Sequence, residues 1–153
     1  MVIITGPAHL EAIARAAPAA DAPLRVRLFD YLERMDLAYA CADLVVARAG
    51  ATTVAEISVC GLPALLVPYP YATARHQEAN ARALQRSGGA SIMLDDQLSA
   101  ESLAGRIEGL IDHQERLAAM AERSRAFGQP DAADRLADLA IGVAGRQKAR
   151  RVR

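Results

Sequence analysis

The stretch Ala42-Asp43-Leu44-Val45-Val46-Ala47-Arg48-Ala49-Gly50-Ala51-Thr52-Thr53-Val54-Ala55-Glu56 decides the fold. Its apolar run Leu44-Val45-Val46 has no polar alternation, which suits a parallel strand covered on both faces. The run ends at Arg48-Ala49-Gly50 and gives way at once to a helix-forming pattern over 52–60. A second run of the same kind, Leu65-Leu66-Val67, follows directly. Strand, tight turn, helix and strand therefore succeed one another within a short span.

Working outward, the same alternation covers the chain. Strands are predicted at Val2–Ile4, Arg25–Phe29, Asp43–Ala47, Ala64–Val67 and Ala90–Leu94. Helices are predicted at about 7–17, 34–41, 52–60, 74–87, 99–111, 114–126 and 131–144. Such alternation implies an α/β fold, an open and mostly parallel sheet with helices on both faces. Ligands of these folds bind beyond the carboxyl ends of the strands. The helix punctuation agrees. Ser99 can cap a helix whose Leu103, Ile107, Leu110 and Ile111 share one stripe. Asp131 can cap the last helix, with Leu136, Leu139, Ala140 and Val143 on one stripe. Gly61 and Gly88-Gly89 stand where left-handed C-terminal caps belong.

Bulk properties narrow the class. The 153 residues suit one domain, placed at 1–145, followed by a basic and disordered tail at 146–153. A polybasic contact with anionic lipid is the other reading of that tail. Eighteen basic residues balance eighteen acidic ones, so nothing in the overall charge points to nucleic acid. Aromatic residues make up only 4% of the chain and Trp is absent, so the core is expected to be aliphatic. Cys41 and Cys60 lack metal-ligand spacing and read as buried free thiols in a reducing compartment. Met1 leads straight into a strand-like run rather than a secretion signal, and no apolar run is long enough to span a membrane, so a cytoplasmic location is expected.

The residues that carry chemistry cluster at the strand-to-helix turn and just beyond. Gly50 lets backbone approach a ligand closely, and the helix that follows offers unpaired N–H groups and a partial positive charge to an anion such as a diphosphate. A plain turn with a Thr cap is the alternative. Glu56 lies three residues after Thr53, the spacing of a capping box; it equally suits a carboxylate gripping the vicinal hydroxyls of a ribose. His76 and Asn80 share a helix face bordered by Gln77, and their donor and acceptor groups suit sugar hydroxyls or a solvated helix start. No Asp-x-Asp pair is available to hold a metal, and Asp95-Asp96 reads as a loop and cap after a strand. His9 and His113 read as surface positions.

Taken in order, Ala-Asp-x-Val-Val-x-Arg-x-Gly-Ala-x-Thr-x-x-Glu, Gly-Leu-Pro-x-Leu-x-Val-Pro and His-Gln-x-x-Asn-Ala resemble the donor-binding domain of the MurG family. These are N-acetylglucosaminyltransferases acting on undecaprenyl-pyrophosphoryl-muramyl pentapeptide. The likeness extends more weakly through Thr5-Gly6-Pro7, Tyr31-Leu32-Glu33-Arg34-Met35 and Met120-Ala121-Glu122-Arg123. It implies a Rossmann-like fold, the C-terminal half of a GT-B glycosyltransferase lacking its first strand. It further implies UDP-N-acetylglucosamine as donor and no cofactor or metal. The backbone around Tyr31 and Leu32 would receive the uracil edge. Ala51, Thr52 and Thr53 would line the diphosphate, Glu56 would hold the ribose, and Gln77 with His76 and Asn80 would read the sugar. Arg48 and Gly50 belong to the family pattern, Arg48 either touching ligand or supporting the turn. Arg75 departs from the acidic residue often found before His-Gln in the family.

The resemblance also implies what lies outside this sequence. The family carries an earlier strand with a Gly-Gly-Ser-x-Gly-Ala loop and an N-terminal acceptor domain. That domain supplies the general base and an apolar patch by which the enzyme sits peripherally on the inner face of the plasma membrane. No catalytic residue is therefore expected in this chain, which would not turn over alone. The acceptor half would be a domain of the same polypeptide or a separate chain, and a non-catalytic nucleotide-sugar-binding module is the remaining alternative. Self-association through the edge left by the absent strand is expected as well.

Overall fold

The computed structural model describes residues 1–151 apart from Ala20, with side chains through residue 144. It falls into two compact units, Met1–Ala42 and the chain from Asp43 onward. In the first unit β1 (Val2–Ile4), α1 (Leu10–Ala16), β2 (Arg27–Phe29) and α2 (Met35–Ala40) follow one another. β1 pairs with β2 in parallel, Ile3 opposite Leu28. Both strands are shorter or equal to their predicted spans, and α1 begins after the turn at Gly6, where φ is +73°.

The second unit carries β3 (Val45–Ala47), α3 (Ala51–Cys60), β4 (Ala64–Leu66), α4 (His76–Ser87) and β5 (Ala90–Ile92). Three helices complete it, α5 (Ala100–Ile111), α6 (Gln114–Phe127) and α7 (Ala132–Arg151). Its sheet has the order β3-β4-β5, parallel throughout, with Val46 opposite Leu65 and Leu65 opposite Ser91. Parallel strands joined by helices are what the unbroken apolar runs required, in two sheets where one was expected.

β4 is central and buried at every residue, Ala64, Leu65 and Leu66 all being inaccessible to solvent. Successive side chains of a strand point to opposite faces. Leu65 and Val67 thus share a face, and they meet Met93, Leu110 of α5 and Met120 of α6 in the core, with Leu44, Leu103 and Ile107 packed around. Three of the four residues of the α5 stripe therefore face inward; Ile111, the last residue of the helix, is exposed. Ser99 caps α5 as read, its Oγ accepting from Ser102 N at 3.1 Å while Ser102 Oγ accepts from Ser99 N at 2.9 Å. Gly61 and Gly88 close α3 and α4 in the left-handed region, at φ +66° and +88°. At Gly89 the reason for glycine is space, since an added Cβ would stand 2.8 Å from Ser124 Cα.

Several expectations give way. Cys41 and Cys60 are free but exposed, because one caps α2 and the other ends α3, both at helix termini rather than inward-facing positions. The α7 stripe is exposed too: Leu136, Leu139 and Val143 all lie on the surface of the described chain. The helical backbone continues to Arg151, while the side chains of 145–151 and all of Val152 and Arg153, on which the basic-tail expectation falls, lie outside the described residues. Among the described residues no helix is long and apolar enough to cross a membrane.

Candidate functional site

The site grows out of the junction between β3 and α3. Gly50 is the N-cap of α3, with φ −60° and ψ 149°, and its carbonyl accepts from Val54 N at 2.9 Å. Ala51, Thr52 and Thr53 are the first three helical residues, exposed or half-buried, and their N–H groups bond to no described residue. The helix tip is thus open, with its orphan donors and partial positive charge directed past the carboxyl end of the sheet. Glycine at position 50 answers no internal need. Its φ is one any residue adopts, and an added Cβ would meet only Thr53 Oγ1 at an ordinary 3.6 Å. The sharp turn expected of Gly50 is made without left-handed backbone.

With Gly50 as N-cap, the third helical position is Thr53 and not Glu56. A capping box joins the N-cap to the third position, so that reading of Glu56 falls, as does the Thr-cap reading of the turn. Glu56 lies beyond the first turn and is exposed.

The turn is held from two sides. Ala49 is fully buried, and α4 satisfies both of its backbone groups. Gln77 Oε1 accepts from Ala49 N at 3.2 Å and from Tyr69 N at 3.0 Å, while Asn80 Nδ2 donates to Ala49 O at 3.1 Å. Two amides assigned to a sugar therefore spend one end each on protein backbone, which leaves Gln77 Nε2 and Asn80 Oδ1 for other partners. Spacing placed His76 and Asn80 on one face with Gln77 at its border; in the structure Gln77 and Asn80 reach the buried Ala49 backbone, while His76 meets Thr73 O. His76 opens α4, exposed, with Nδ1 2.6 Å from Thr73 O. A carbonyl only accepts, so Nδ1 carries the proton and Nε2 of the neutral ring is an acceptor.

On the other side Arg48 spans the strand ends. Its Nη1 donates to Val67 O and Pro68 O, each at 3.3 Å, and to Asp95 Oδ1 at 2.6 Å. Its guanidinium also lies 5.5 Å from the Tyr69 ring centroid, within cation–π range. Sequence reasoning left the role of Arg48 open and read Asp95 as a loop residue; Tyr69 was missed. The available signal was opposite charge just past the ends of strands that pair in parallel, which becomes legible only once register is known.

The entry to α4 is strained. Ala74 and Arg75, in a short 3-10 turn, sit at φ +51° and +52°. Left-handed backbone costs a non-glycine residue about 1–2 kcal/mol, so the surrounding contacts of α4 must hold it. Arg75 lines a cleft of about 420 Å³ together with Tyr69, Tyr71, Glu78, Asp95 and Asp96. A smaller cleft of about 330 Å³ between α5 and α6, beside Gly105, Gly109 and Arg116, is lined by none of the candidate site residues.

Tyr31 and Leu32 belong to the first unit, between β2 and α2. Tyr31 is exposed and its N–H donates to Asp30 Oδ1 at 2.8 Å, so a ligand edge there would find the Leu32 N–H and the two carbonyls. Next to them Arg34 grips Asp36 at 2.9 and 2.7 Å, which holds the Asp36 carboxyl below the usual aspartate range and raises the guanidinium in turn. His9 and His113 are exposed residues preceding α1 and α6, as expected.

Comparison with known proteins places this geometry. Residues 1–136 match the model of the glycosyltransferase family 28 C-terminal domain. Over 118 residues the chain is 48% identical to the UDP-N-acetylglucosamine–N-acetylmuramyl-(pentapeptide) pyrophosphoryl-undecaprenol N-acetylglucosamine transferase of Desulfitobacterium hafniense, covering 77% of this chain and 32% of that protein. It is 47% identical over 139 residues to the transferase of the same name from Paramagnetospirillum magneticum, covering 90% of this chain and 36% of that protein. The crystal structure of Acinetobacter baumannii MurG superposes with a TM-score of 0.82 at 33% identity, over 90% of this chain and 40% of that one. The chain thus spans about a third of the length of these relatives. With a family model matched from Met1 to beyond the start of α7, and a parallel α/β body whose strand-end turn is open, the chain belongs to glycosyltransferase family 28, as its C-terminal domain.

Proposed function

We propose that this chain is the UDP-N-acetylglucosamine-binding half of an inverting N-acetylglucosaminyltransferase that acts on a lipid-linked muramyl pentapeptide. The observation that carries the reading is the open tip of α3: three N–H groups with no partner among the described residues, at the carboxyl end of the sheet, behind a glycine that no described residue requires. A diphosphate is the guest such a tip favours. Ala51, Thr52 and Thr53 take the diphosphate, Glu56 the ribose hydroxyls, and the backbone at Tyr31 and Leu32 the uracil edge. Gln77 Nε2, Asn80 Oδ1 and His76 Nε2 read the sugar, so that Gln77 and Asn80 both bind and hold the turn.

In the reaction the muramyl 4-hydroxyl attacks the anomeric carbon and UDP leaves, its growing charge stabilised by the helix tip. The base that takes the hydroxyl proton and the site for the lipid-linked acceptor belong to an N-terminal acceptor domain or a separate acceptor chain. This chain by itself binds donor and does not turn over. The assembled enzyme works at the cytoplasmic face of the membrane, and the β1–β2 sheet can self-associate through its edge when unpartnered.

Calorimetric titration with UDP and UDP-N-acetylglucosamine tests the reading. Both should bind, and Glu56→Ala should lose roughly 1.5–3 kcal/mol of affinity, the worth of hydrogen bonds to a charged group. Failure of the parent chain to bind either ligand overturns the donor assignment; binding with an unchanged Glu56→Ala affinity removes Glu56 from the ribose.

A further inference from the structure

We propose that Asp95 is a positioning residue for donor binding, acting through Arg48 on the turn that leads into α3. The proposal rests on the donor reading above and adds to it a residue that spacing and motif leave out.

The contacts form a closed circuit around the turn. Arg48 directly precedes Ala49. Its guanidinium meets Asp95 at 2.6 Å, reaches the carbonyls of Val67 and Pro68 at 3.3 Å, and covers the Tyr69 ring. The Tyr69 backbone N–H then bonds Gln77 Oε1, and the same oxygen takes the Ala49 N–H. Starting and ending at residues 48 and 49, the loop passes through the ends of β3, β4 and β5 and the first turn of α4. Asp95 supplies its shortest bond and its only negative charge.

Without that charge the guanidinium keeps two long carbonyl contacts, and its side chain is about half exposed. A half-exposed cation so weakly held would be drawn to solvent, taking its hold on the β4 end with it. Ala49 and Gly50 would then be fixed by the α4 amides alone. An anion at the α3 tip makes the choice sharper. If Asp95 holds Arg48 in place, removing the carboxylate loosens the tip and weakens binding of a diphosphate. If Arg48 is instead the diphosphate's own counter-charge, Asp95 competes with the ligand, and removing it tightens binding. The two roles predict opposite signs.

The test uses the full chain and the variants Asp95→Asn, Asp95→Glu and Arg48→Lys, with Glu11→Gln as a control that breaks the exposed Glu11–Arg15 pair. Two measurements are made: UDP affinity by calorimetry, and hydrogen exchange without ligand of the hydrogen-bonded amides of the turn, Ala49, Val54 and Tyr69. Asp95→Asn should weaken UDP binding roughly two- to fivefold, the scale of a surface ion pair. It should speed exchange at those amides by a similar factor, while the thermal midpoint moves by no more than about 2 °C. Asp95→Glu should recover part of both effects, the control neither. Arg48→Lys combined with Asp95→Asn should cost less than the sum of the two alone, because they break one circuit. Tighter UDP binding by Asp95→Asn, or unchanged exchange at Ala49, Val54 and Tyr69, overturns the proposal. If exchange rises but the parent chain does not bind UDP, it is the donor reading that has failed, and the positioning role falls with it.

Discussion

The two units of the chain spend similar strand signals to different depths. Val2-Ile3-Ile4 and Ala64-Leu65-Leu66 are both short aliphatic triplets, and both form parallel strands. β4 has a neighbour on each side and is buried throughout, whereas β1 has one hydrogen-bonded partner and leaves Val2 and Ile4 exposed. In the first unit Tyr39 alone among the described residues is buried; from Asp43 onward a continuous aliphatic core forms. An apolar triplet therefore announces that a strand exists, while burial depends on partners that come from elsewhere in the chain. A two-stranded sheet is marginal by itself, and the unit that holds the weaker sheet also holds the residues assigned to the base.

The largest expected effect breaks this comparison or secures it. Leu65→Ala removes an inaccessible side chain from the centre of the β4 core and should cost about 2–5 kcal/mol. Val2→Ala, at an exposed position of β1, should stay within about 0.5 kcal/mol. Urea unfolding of both variants checks it. Comparable penalties at the two positions would mean that β1 is covered in solution, as edge-to-edge self-association predicts.

How far the sequence carried depended on the same distinction. The unbroken runs Leu44-Val45-Val46 and Leu65-Leu66-Val67 were enough to predict parallel strands, and Ser99, Gly61 and Gly88 marked helix ends correctly, because each signal is local. Pairing order is not local, which is why two sheets appear where one was expected. The α7 stripe shows the limit most clearly: Leu136, Leu139 and Val143 have the right period, but a period names a face and cannot say what covers it. At the turn into α3, Arg48 and Gly50 were legible from motif. The N-cap was misplaced, because Ala51 looks no more helical than loop-like until Gly50 O is seen to accept from Val54 N. The inward-facing halves of Gln77 and Asn80 and the Arg48–Asp95 pair needed three-dimensional register.

A medium effect sharpens the picture of the larger core. Ser58 and Ser124 are both buried, but Ser58 Oγ donates to Val54 O at 2.6 Å, whereas Ser124 Oγ has no partner among the described residues. Burying an unsatisfied hydroxyl costs about 1–3 kcal/mol, and a made hydrogen bond contributes about 1 kcal/mol. Ser124→Ala should therefore raise the urea midpoint, and Ser58→Ala should leave it unchanged or lower it. A drop for Ser124→Ala would show that its hydroxyl has a partner in solution, a bound water being the simplest.

The smallest effect belongs to the first unit and is electrostatic. Arg34 holds the Asp36 carboxyl below the usual aspartate range, and the two side chains are mostly exposed. A carboxyl whose folded pKa is depressed contributes stability that is complete above its unfolded value, about 3.9. That contribution fades as pH falls through the lower folded value. Asp36→Asn should consequently be slightly less stable than the parent from neutral pH down to about pH 4. The two should converge in stronger acid, where the parent carboxylate is protonated as well. Added salt should shrink the neutral-pH difference, since exposed pairs are screened. Denaturation followed through the amide signals of Met1–Ala42, at several pH values with and without salt, reads both dependences. A difference that persists unchanged into strong acid would assign the effect of Asp36 to its place in the first turn of α2 and not to its charge.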